Sequence, residues 1–446
     1  MRNLNQSNLE VSIGLSRKWD AREAGRDVAK NIIEKLKMPP SFILLFSTIH
    51  YKKHGGFKEL LNGVWDVLPR NTPLIGGTIA SFINNYGCFS RGVTALAVSS
   101  PNIDLTLGVG KYSRRNPKRS ATSVAEMIKK GLKNSNYKNK LLINMISAGK
   151  LPNLPFIGRV QIIKSKYIGW IATHIGMKLF PIIGYGLGKE EEIIDNLGEN
   201  IPDYYIIGGS TLDSGDMLDN FQFIGEHVFT NSIVALGCST SLPIYLKTNI
   251  NLIETKKTLR VTSSTKDGRI IKSLDNRPAK EQILKALDIN DEQINDLGPF
   301  YYRTSNYFPI TFEEDKRYIS GVGGFFGDNV YLGYKIRGKK IKILSITGKH
   351  IIDLIDSTLR EKLNLPFLFM TSSFILLNTL GSKSYKIKEK IDENFKNTPY
   401  LMVCPVNENT STPNNPAVAR VYSFNVMSFD TEDIKNYLNR SEEKND

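Results

Sequence analysis

The chain has 446 residues, more than one ordinary hydrophobic core holds, and fits two domains or one large duplicated domain. Hydrophobic residues make up 41% of it and charged residues 23%, which excludes a disordered or fibrous protein. The net charge is +15, and three widely spaced cysteines (Cys88, Cys238 and Cys404) exclude a disulfide framework or a Cys-x-x-Cys zinc site. This cysteine usage, and an N-terminus without the apolar run of a secretory signal, predict a cytoplasmic protein.

The N-terminal part alternates helix-like and strand-like segments. Apolar residues at helical spacing predict a helix over 20–37, which Pro39 and Pro40 end. The later predicted elements are a strand at 41–47, a helix at 57–67, strands at 73–75 and 92–98, a helix at 123–132 and a strand at 140–145. This alternation is typical of an α/β fold.

The segment 111–140 is strongly basic. It contains ten Lys and Arg residues and one acid, Glu126, and so carries +9 of the net charge. Such a cluster can attract phosphates, anionic lipid or nucleic acid, whereas the favoured interpretation is a solvated surface. Only Tyr112 and Tyr137 are interleaved with the charges, so no specific nucleic-acid partner is predicted.

An internal similarity divides residues 10–240 into two copies. Residues 75–78 (Ile-Gly-Gly-Thr) recur as 207–210 (Ile-Gly-Gly-Ser), in each case after a helix and before a second apolar strand. Three matching pieces in one order predict a duplicated α/β unit over 10–245 whose two halves pack together.

Residues 151–188 interrupt the second copy. The run 168–187 is apolar, but Lys178 and Pro181 lie inside it, which argues against a membrane-spanning helix. The default interpretation is a lid or an extra core element. An amphipathic segment lying on a membrane surface is a less favoured alternative.

The part after residue 247 changes to a β-rich α+β pattern, predicted as a second domain over 256–430 with a charged tail at 431–446. Its predicted strands are 258–262, 269–271, 331–337, 366–370 and 399–403, and its predicted helices are 279–287 and 351–363. The domain boundary is predicted near 245–256.

No strong catalytic or metal motif is present. His50 and His54 have a spacing compatible with a metal on a helix face, but the favoured interpretation is a surface pair beside Lys52 and Lys53. Cys404 ends an apolar run, where a buried structural thiol is favoured over a nucleophile. The sequence therefore predicts no metal, no cofactor and no enzyme activity.

The two Gly-Gly-hydroxyl segments are the candidate ligand site. Each ends an apolar strand, at the edge where open α/β sheets usually bind ligands. Glycine there permits positive φ and close backbone approach, and free N–H groups can hold a carboxylate or phosphate. The predicted ligand-binding residues are Ser47, Gly76, Gly77, Thr78, Gly208, Gly209 and Ser210. Paired glycines that only let strands pack closely are an equally favoured alternative.

The same residues carry a resemblance to the FIST family of sensory proteins. The matching segments are 14–16, 24–25, 44–47, 74–78, 90–93, 207–210, 221–223 and 232–235, with weaker similarity at 278–279, 380–381 and 423–425. The resemblance implies a FIST N part followed by a FIST C part. It also implies a signal-transduction module that binds a small molecule, such as an amino acid or a derivative.

The leading hypothesis is therefore a cytoplasmic sensor that binds a small ligand and passes a signal to a protein partner. One alternative is a scaffold or peripheral membrane protein acting through residues 111–140 and 151–188. A second alternative is an enzyme using the same pocket.

Overall fold

The computed structural model describes residues 9–150, 153–154, 158–159, 162–176, 179–186, 188–215, 217–290, 309–361 and 364–429. The chain builds three successive units with the same pattern of strand pairing, called units 1, 2 and 3 below. Each unit is a sheet whose outer face is covered by two helices.

Unit 1 consists of β1 (Glu10–Ser16), α1 (Ala21–Ile33), β2 (Phe42–Ser47), a 3₁₀ turn (Ile49–Lys53), α2 (Phe57–Trp65), β3 (Leu74–Thr78), β4 (Ser81–Asn84), β5 (Gly87–Phe89) and β6 (Val93–Ser99). Helix α1 begins where the side chain of Asp20 accepts a hydrogen bond from the N–H of Glu23 at 2.9 Å. Its apolar residues recur at helical spacing, so they form one buried face against the sheet.

Unit 2 repeats this order with an insertion. Its elements are β7 (Ile103–Lys111), α3 (Pro117–Gly131), β8 (Asn139–Ser147), the inserted β9 (Asn153–Leu154), β10 (Gly158–Arg159), β11 (Ile162–Ile163), α4 (Lys166–Ile171) and a π-helical turn (Ala172–Gly176), then α5 (Glu190–Asn200), β12 (Tyr205–Thr211), β13 (Gln222–Ile224), β14 (His227–Phe229) and β15 (Ser232–Thr240).

Unit 3 contains a larger, β-rich insertion after its first strand. Its elements are β16 (Ile244–Ile250), the inserted β17 (Ile253–Ser264), β18 (Ile270–Leu274), β19 (Arg277–Pro278), α6 (Ala279–Leu287), β20 (Ile310–Phe312), β21 (Ile319–Ser320), β22 (Val322–Phe326), β23 (Asn329–Leu332) and β24 (Lys340–Ser345), then α7 (Gly348–Leu359), β25 (Leu368–Ser372), α8 (Phe374–Leu380), a 3₁₀ turn (Gly381–Lys383), α9 (Tyr385–Phe395), β26 (Tyr400–Cys404), β27 (Glu408–Ser411), β28 (Val418–Arg420) and β29 (Ser423–Phe429).

The strand pairing is the same in all three units. In unit 1, β1 is antiparallel to β6, β6 is antiparallel to β2, and β2 is parallel to β3. Strands β7, β15, β8 and β12 pair in this way in unit 2, and β16, β29, β25 and β26 do so in unit 3. One hairpin of each unit joins the sheet of another: β13–β14 pairs with β3, β27–β28 with β12, and β4–β5 with β26. This exchange is cyclic, so the three units interlock.

The inner faces of the three sheets share one hydrophobic core. Alternate residues of β2, β8 and β25 point into it, and Phe46 stacks on Phe369 with ring centroids 6.0 Å apart. The intervening residues, such as Ile43, Leu142 and Leu368, face outward under the helix pairs. The strands are therefore buried on both faces, which explains why they appear in the sequence as continuous apolar runs.

The predicted mixed α/β class is confirmed. The division into 10–245 and 256–430 stays a prediction, although the sheets cross it, since β4 and β5 pair with β26 and β12 pairs with β27. The tail at 431–446 lies outside the described residues. No helix in the described part of the chain is long and apolar enough to cross a membrane.

Several predicted elements have other bounds in the structure; α1 ends at Ile33 rather than 37, and α7 spans Gly348–Leu359 rather than 351–363. Helix α3 begins at Pro117 rather than 123, because proline fits the first helical turn and the buried face starts there. Strand β3 continues through Gly76 and Gly77 to Thr78. The predicted strand over 331–337 is observed as β23, which ends at Leu332 before Gly333.

Candidate functional site

The predicted site residues lie in the central strands, and all seven are buried. Ser47 ends β2, Gly76, Gly77 and Thr78 end β3, and Gly208, Gly209 and Ser210 lie in β12. The halves meet there: the carbonyl of Thr78 accepts a hydrogen bond from the N–H of Leu212 at 2.8 Å. The Ser47 hydroxyl donates locally, to the carbonyl of Thr48 at 3.0 Å.

The backbone donors of this region are already used by the fold. The N–H of Thr78 donates to Phe221 at 2.9 Å, and the N–H of Ser210 donates to Asn407 at 3.0 Å. The glycines have extended rather than positive φ, so the expectation of positive φ is wrong for them. Their role in ligand binding stays a prediction, and close strand packing accounts for the missing side chains.

A polar crevice of about 460 Å³ lies at the carboxyl end of β8, beside this junction. It is formed by the loop after β7, the loop after β8, the turn before β15 and residues 183–185. Its lining residues are Lys111, Tyr112, Arg114, Lys150, Ile183, Gly184, Tyr185, Asp219, Asn220, Val228, Phe229, Thr230, Asn231 and Ser232. Three cations against one carboxylate make the crevice electropositive.

Arg114 lies at the floor of the crevice and is 2% exposed. Its Nη2 donates to the hydroxyl of Ser147 and the carbonyl of Ala148, both at 2.6 Å, and its Nε donates to Ala148 at 2.9 Å. Among the described residues, its Nη1 donates one hydrogen bond, to the carbonyl of Gly184 at 3.0 Å, which leaves the second N–H of that nitrogen without a partner there.

No carboxylate pairs with Arg114 among the residues that the structure describes. Burial lowers the pKa of Arg114 to about 10, and the charge of Glu190 opposes that shift. The guanidinium of Arg114 is nonetheless protonated at neutral pH, and its charge is stabilised mainly by hydrogen bonds to neutral acceptors. An anion that reached Arg114 would neutralise this positive charge and accept a charge-assisted hydrogen bond from it.

The rim of the crevice adds two lysines. Lys111 lies over the ring of Phe229, 5.4 Å from its centroid, and Lys150 lies 5.4 Å from that of Tyr185. Asp219 is shared between Lys150, at 3.0 Å, and Lys52. Burial raises the pKa of Asp219, but its bonds to these two lysines outweigh burial and hold it below the ordinary value.

A hydrogen-bond network joins the crevice to the predicted residues. Asn220 accepts from Arg114 at 3.3 Å and from the side chain of Gln222 at 3.1 Å. Gln222 also donates to the hydroxyl of Thr211 at 2.6 Å. The N–H of Phe221, next to Asn220, donates to the hydroxyl of Thr78 at 3.0 Å. Two residues, Asn220 and Phe221, therefore connect Arg114 at the crevice floor to the hydroxyl of Thr78 at the end of β3.

Ser210 belongs to a second buried polar group. Its hydroxyl donates to Oε1 of Glu190 at 3.0 Å, and Glu190 lines a small cavity of about 30 Å³ together with Gly149, Gly188 and Asn407. Burial raises the pKa of Glu190 to about 7. The cavity has room for about one water molecule, so it is no ligand pocket.

The histidine pair and Cys404 show no reactive arrangement. His50 packs between Trp19 and Tyr51, its Nδ1 lies 2.8 Å from the hydroxyl of Thr48, and burial lowers its pKa to about 4. The described residues contain no cluster of three metal-ligating side chains. Cys404 is buried, which raises the pKa of its thiol to about 12 and disfavours the reactive thiolate.

Sequence reasoning missed Arg114, Lys150 and Asn220 as site residues. Lys111 and Arg114 do fall in the basic segment 111–140, but nothing in the sequence distinguishes them from the eight other Lys and Arg residues of that segment. The usable signal is an arginine in the short loop between a strand and a helix, at the carboxyl edge of the sheet.

Comparison with known proteins identifies one family. The model described as FIST N domain matches residues 41–277, just over half of the chain. No curated protein matches. A cyanuric acid hydrolase from A. caulinodans is 7% identical with a TM-score of 0.26, over 52% of this chain and 71% of that one. PurLQS from Thermotoga maritima is 10% identical with a TM-score of 0.21, over 96% of this chain and 74% of that one. These TM-scores are too low to support an argument.

Proposed function

We propose a sensory role from the premise that this chain belongs to the FIST N domain family, a family of sensory and ligand-binding domains. The ligand would be a small anion that carries a carboxylate or phosphate group, such as an amino acid or a derivative. The single observation that carries this proposal is Arg114, a buried guanidinium at the floor of an open crevice, with a spare donor and no ion pair among the described residues.

The crevice has the size and chemistry for such a ligand. A volume of about 460 Å³ falls in the range of small-molecule sites. Arg114 would bind the anionic group, and the Lys111 ammonium would neutralise it from the rim. Tyr112 and Asn231 add neutral polar groups for the rest of the molecule.

The signal would travel through the hydrogen bonds behind Arg114. A ligand that draws Arg114 outward weakens its bond to Asn220, whose neighbours Phe221 and Gln222 hold Thr78 and Thr211. These residues lie where the first two units meet. Sensing requires two arrangements of this junction with different ligand affinity. The signalling partner would be a protein, and the C-terminal part would act as the FIST C half of a cytoplasmic module.

We further propose that binding is not followed by turnover. The buried Cys404 thiol is held in its protonated form, and Ser210 donates to a carboxylate in a cavity that only water fits. The three lysine and arginine side chains of the crevice provide binding rather than a base–nucleophile pair.

Arg114→Gln should weaken binding of an anionic ligand by about 100-fold, because a charge-assisted contact in a buried site is lost. A thermal-shift screen of anionic, neutral and cationic metabolites would identify the ligand, and isothermal titration calorimetry would give the affinities. Lys111→Met, on the exposed rim, should weaken binding several-fold and keeps the test valid if Arg114→Gln fails to fold.

Arg115→Met is the matched control, since Arg115 is the exposed neighbour of Arg114 and does not line the crevice. It should leave the affinity unchanged. Hits that are mainly neutral or cationic, or an anion that binds equally to the wild type and to both crevice variants, would refute this assignment.

A further inference from the structure

The insertion in unit 2 exposes a ridge of large apolar side chains. Within the described part of the chain, thirteen large hydrophobic residues are exposed, and seven of them lie between residues 167 and 183. We call this set the apolar ridge: Tyr167, Ile168, Trp170, Ile175, Leu179, Ile182 and Ile183. They are between 47% and 74% exposed. The interpretation of residues 151–188 as a lid or an extra core element stays a prediction.

The fold fixes the ridge in an outward position. The opposite side of α4 and its π-helical turn carries Gly169 and Thr173, which pack against β22 and β23. A Cβ at position 169 would lie 2.5 Å from the N of Gly327, so that side of α4 is in direct backbone contact. Asn329 donates to the hydroxyl of Thr173 at 3.3 Å. The small face is buried and the large apolar face is exposed, the reverse of an ordinary surface helix.

The charged residues of the segment that carries the ridge are of one sign. Residues 150–189 contain six Lys and Arg residues and no Asp or Glu. Lys164 and Lys166 are exposed at the start of α4. Lys166 pairs with Asp328 at 2.8 Å, but both side chains are largely exposed and such pairs are weak. At the other end, Ile183 lines the same crevice as Lys111, so the basic surface of unit 2 adjoins the ridge.

We propose that the apolar ridge docks this protein on the surface of a membrane that contains anionic lipid. Tryptophan and tyrosine prefer the interfacial layer of a bilayer, and isoleucine and leucine gain by entering its apolar part. The lysines beside them would meet anionic headgroups. A second copy of the chain is a poorer occupant, because a twofold contact through the ridge would bring two sets of these cations together.

The test is sedimentation of the full-length protein with phosphatidylcholine vesicles, with and without phosphatidylserine, at low and high salt. Binding should require phosphatidylserine and weaken as salt rises. Trp170→Ser/Ile182→Ser should lower the partition coefficient at least about tenfold, since two inserted apolar side chains are lost. Both positions are exposed, so the melting temperature should stay unchanged.

Ile33→Ser/Tyr385→Ser is the matched control, because it removes two exposed apolar side chains from α1 and α9 and should bind as the wild type does. The proposal is overturned if the wild type does not sediment with vesicles, if it binds neutral and anionic vesicles equally, or if the ridge variant binds normally. Ridge-dependent self-association in analytical ultracentrifugation without vesicle binding would also overturn it. None of these outcomes bears on ligand binding in the crevice.

Discussion

Replacing Gly76 by alanine should destabilise the fold by at least about 3 kcal/mol, because the new methyl group meets backbone rather than a movable side chain. A Cβ at position 76 would lie 1.7 Å from the carbonyl oxygen of Leu45 in the parallel neighbour β2. At Gly208, the matching position of unit 2, it would lie 2.2 Å from that of Asn144, so Gly208→Ala should behave alike. Chemical denaturation followed by circular dichroism would measure both losses.

Gly225→Asn is the control for this prediction. Gly225 lies in the turn between β13 and β14 with φ +54°, and a Cβ there would meet nothing within 4 Å. Asparagine tolerates this left-handed conformation, so the change should cost less than about 1 kcal/mol. If Gly76→Ala is as stable as Gly225→Asn, strand packing is not the reason for glycine at position 76, and a ligand role for the pair gains support.

The same geometry limits how the predicted glycine site can be tested. A Cβ would lie 2.5 Å from Phe221 O at Gly77 and 2.7 Å from Pro405 Cγ at Gly209. Valine at both positions would perturb folding before it reported on binding. Lys111→Met, at an exposed position of the crevice rim, separates the two effects.

The sequence predicts most of the secondary structure because the central strands are continuous apolar runs. Strand β2 and helix α6 fall within one residue of the predicted positions. The repeated Ile-Gly-Gly segment indicates units 1 and 2 correctly, because close contact of β3 with β2, and of β12 with β8, requires glycine in both.

Unit 3 could not be predicted from internal similarity. Its strand β26 has Met402 and Val403 in the register that Gly76 and Gly77 occupy in β3, so the glycine signal is absent. The insertion between β16 and α7 also separates the first strand of the unit from the rest of it. Only long-range strand pairing, both within the unit and in the cyclic exchange of hairpins, shows that β16 and β25–β29 repeat the arrangement of the earlier units.

The crevice was missed for a different reason. In the sequence, Arg114 is not distinguished from the eight other Lys and Arg residues between 115 and 140, and only its burial marks it as the candidate for an anion site. That burial depends on Ser147, Gly184 and Asn220, which come from three separate segments. Local sequence patterns carry no information on such a convergence.

Glu190→Gln should make the stability of the protein less sensitive to a rise in pH from 4.5 to about 7. Glu190 is fully buried, and burial raises its pKa from 4.5 to about 7, with Glu191 adding to the shift and Ser210 and Arg269 opposing it. The folded state therefore holds this proton more tightly than the unfolded state does. The stabilisation that this proton gives the folded state is complete below pH 4.5 and is lost as pH rises through 7. The free energy of unfolding falls by about 3 kcal/mol over that range. Glutamine keeps the shape and the bond to Ser210 without a charge, so the variant should avoid that loss.

The measurement is the difference in unfolding free energy between the variant and the wild type from pH 4.5 to pH 8.5. Glu408, which is also buried and has a raised pKa, contributes equally to both proteins and cancels in the difference. Glu199→Gln, an exposed change on the same helix, should give a difference near zero at every pH.

A difference for Glu190→Gln that rises toward high pH means that the Glu190 carboxyl is neutral in the folded protein at low pH and that its ionisation destabilises the fold. A flat difference would contradict this prediction, because it would mean that the neighbours of Glu190, Ser210 and Arg269 among them, already compensate the buried carboxylate.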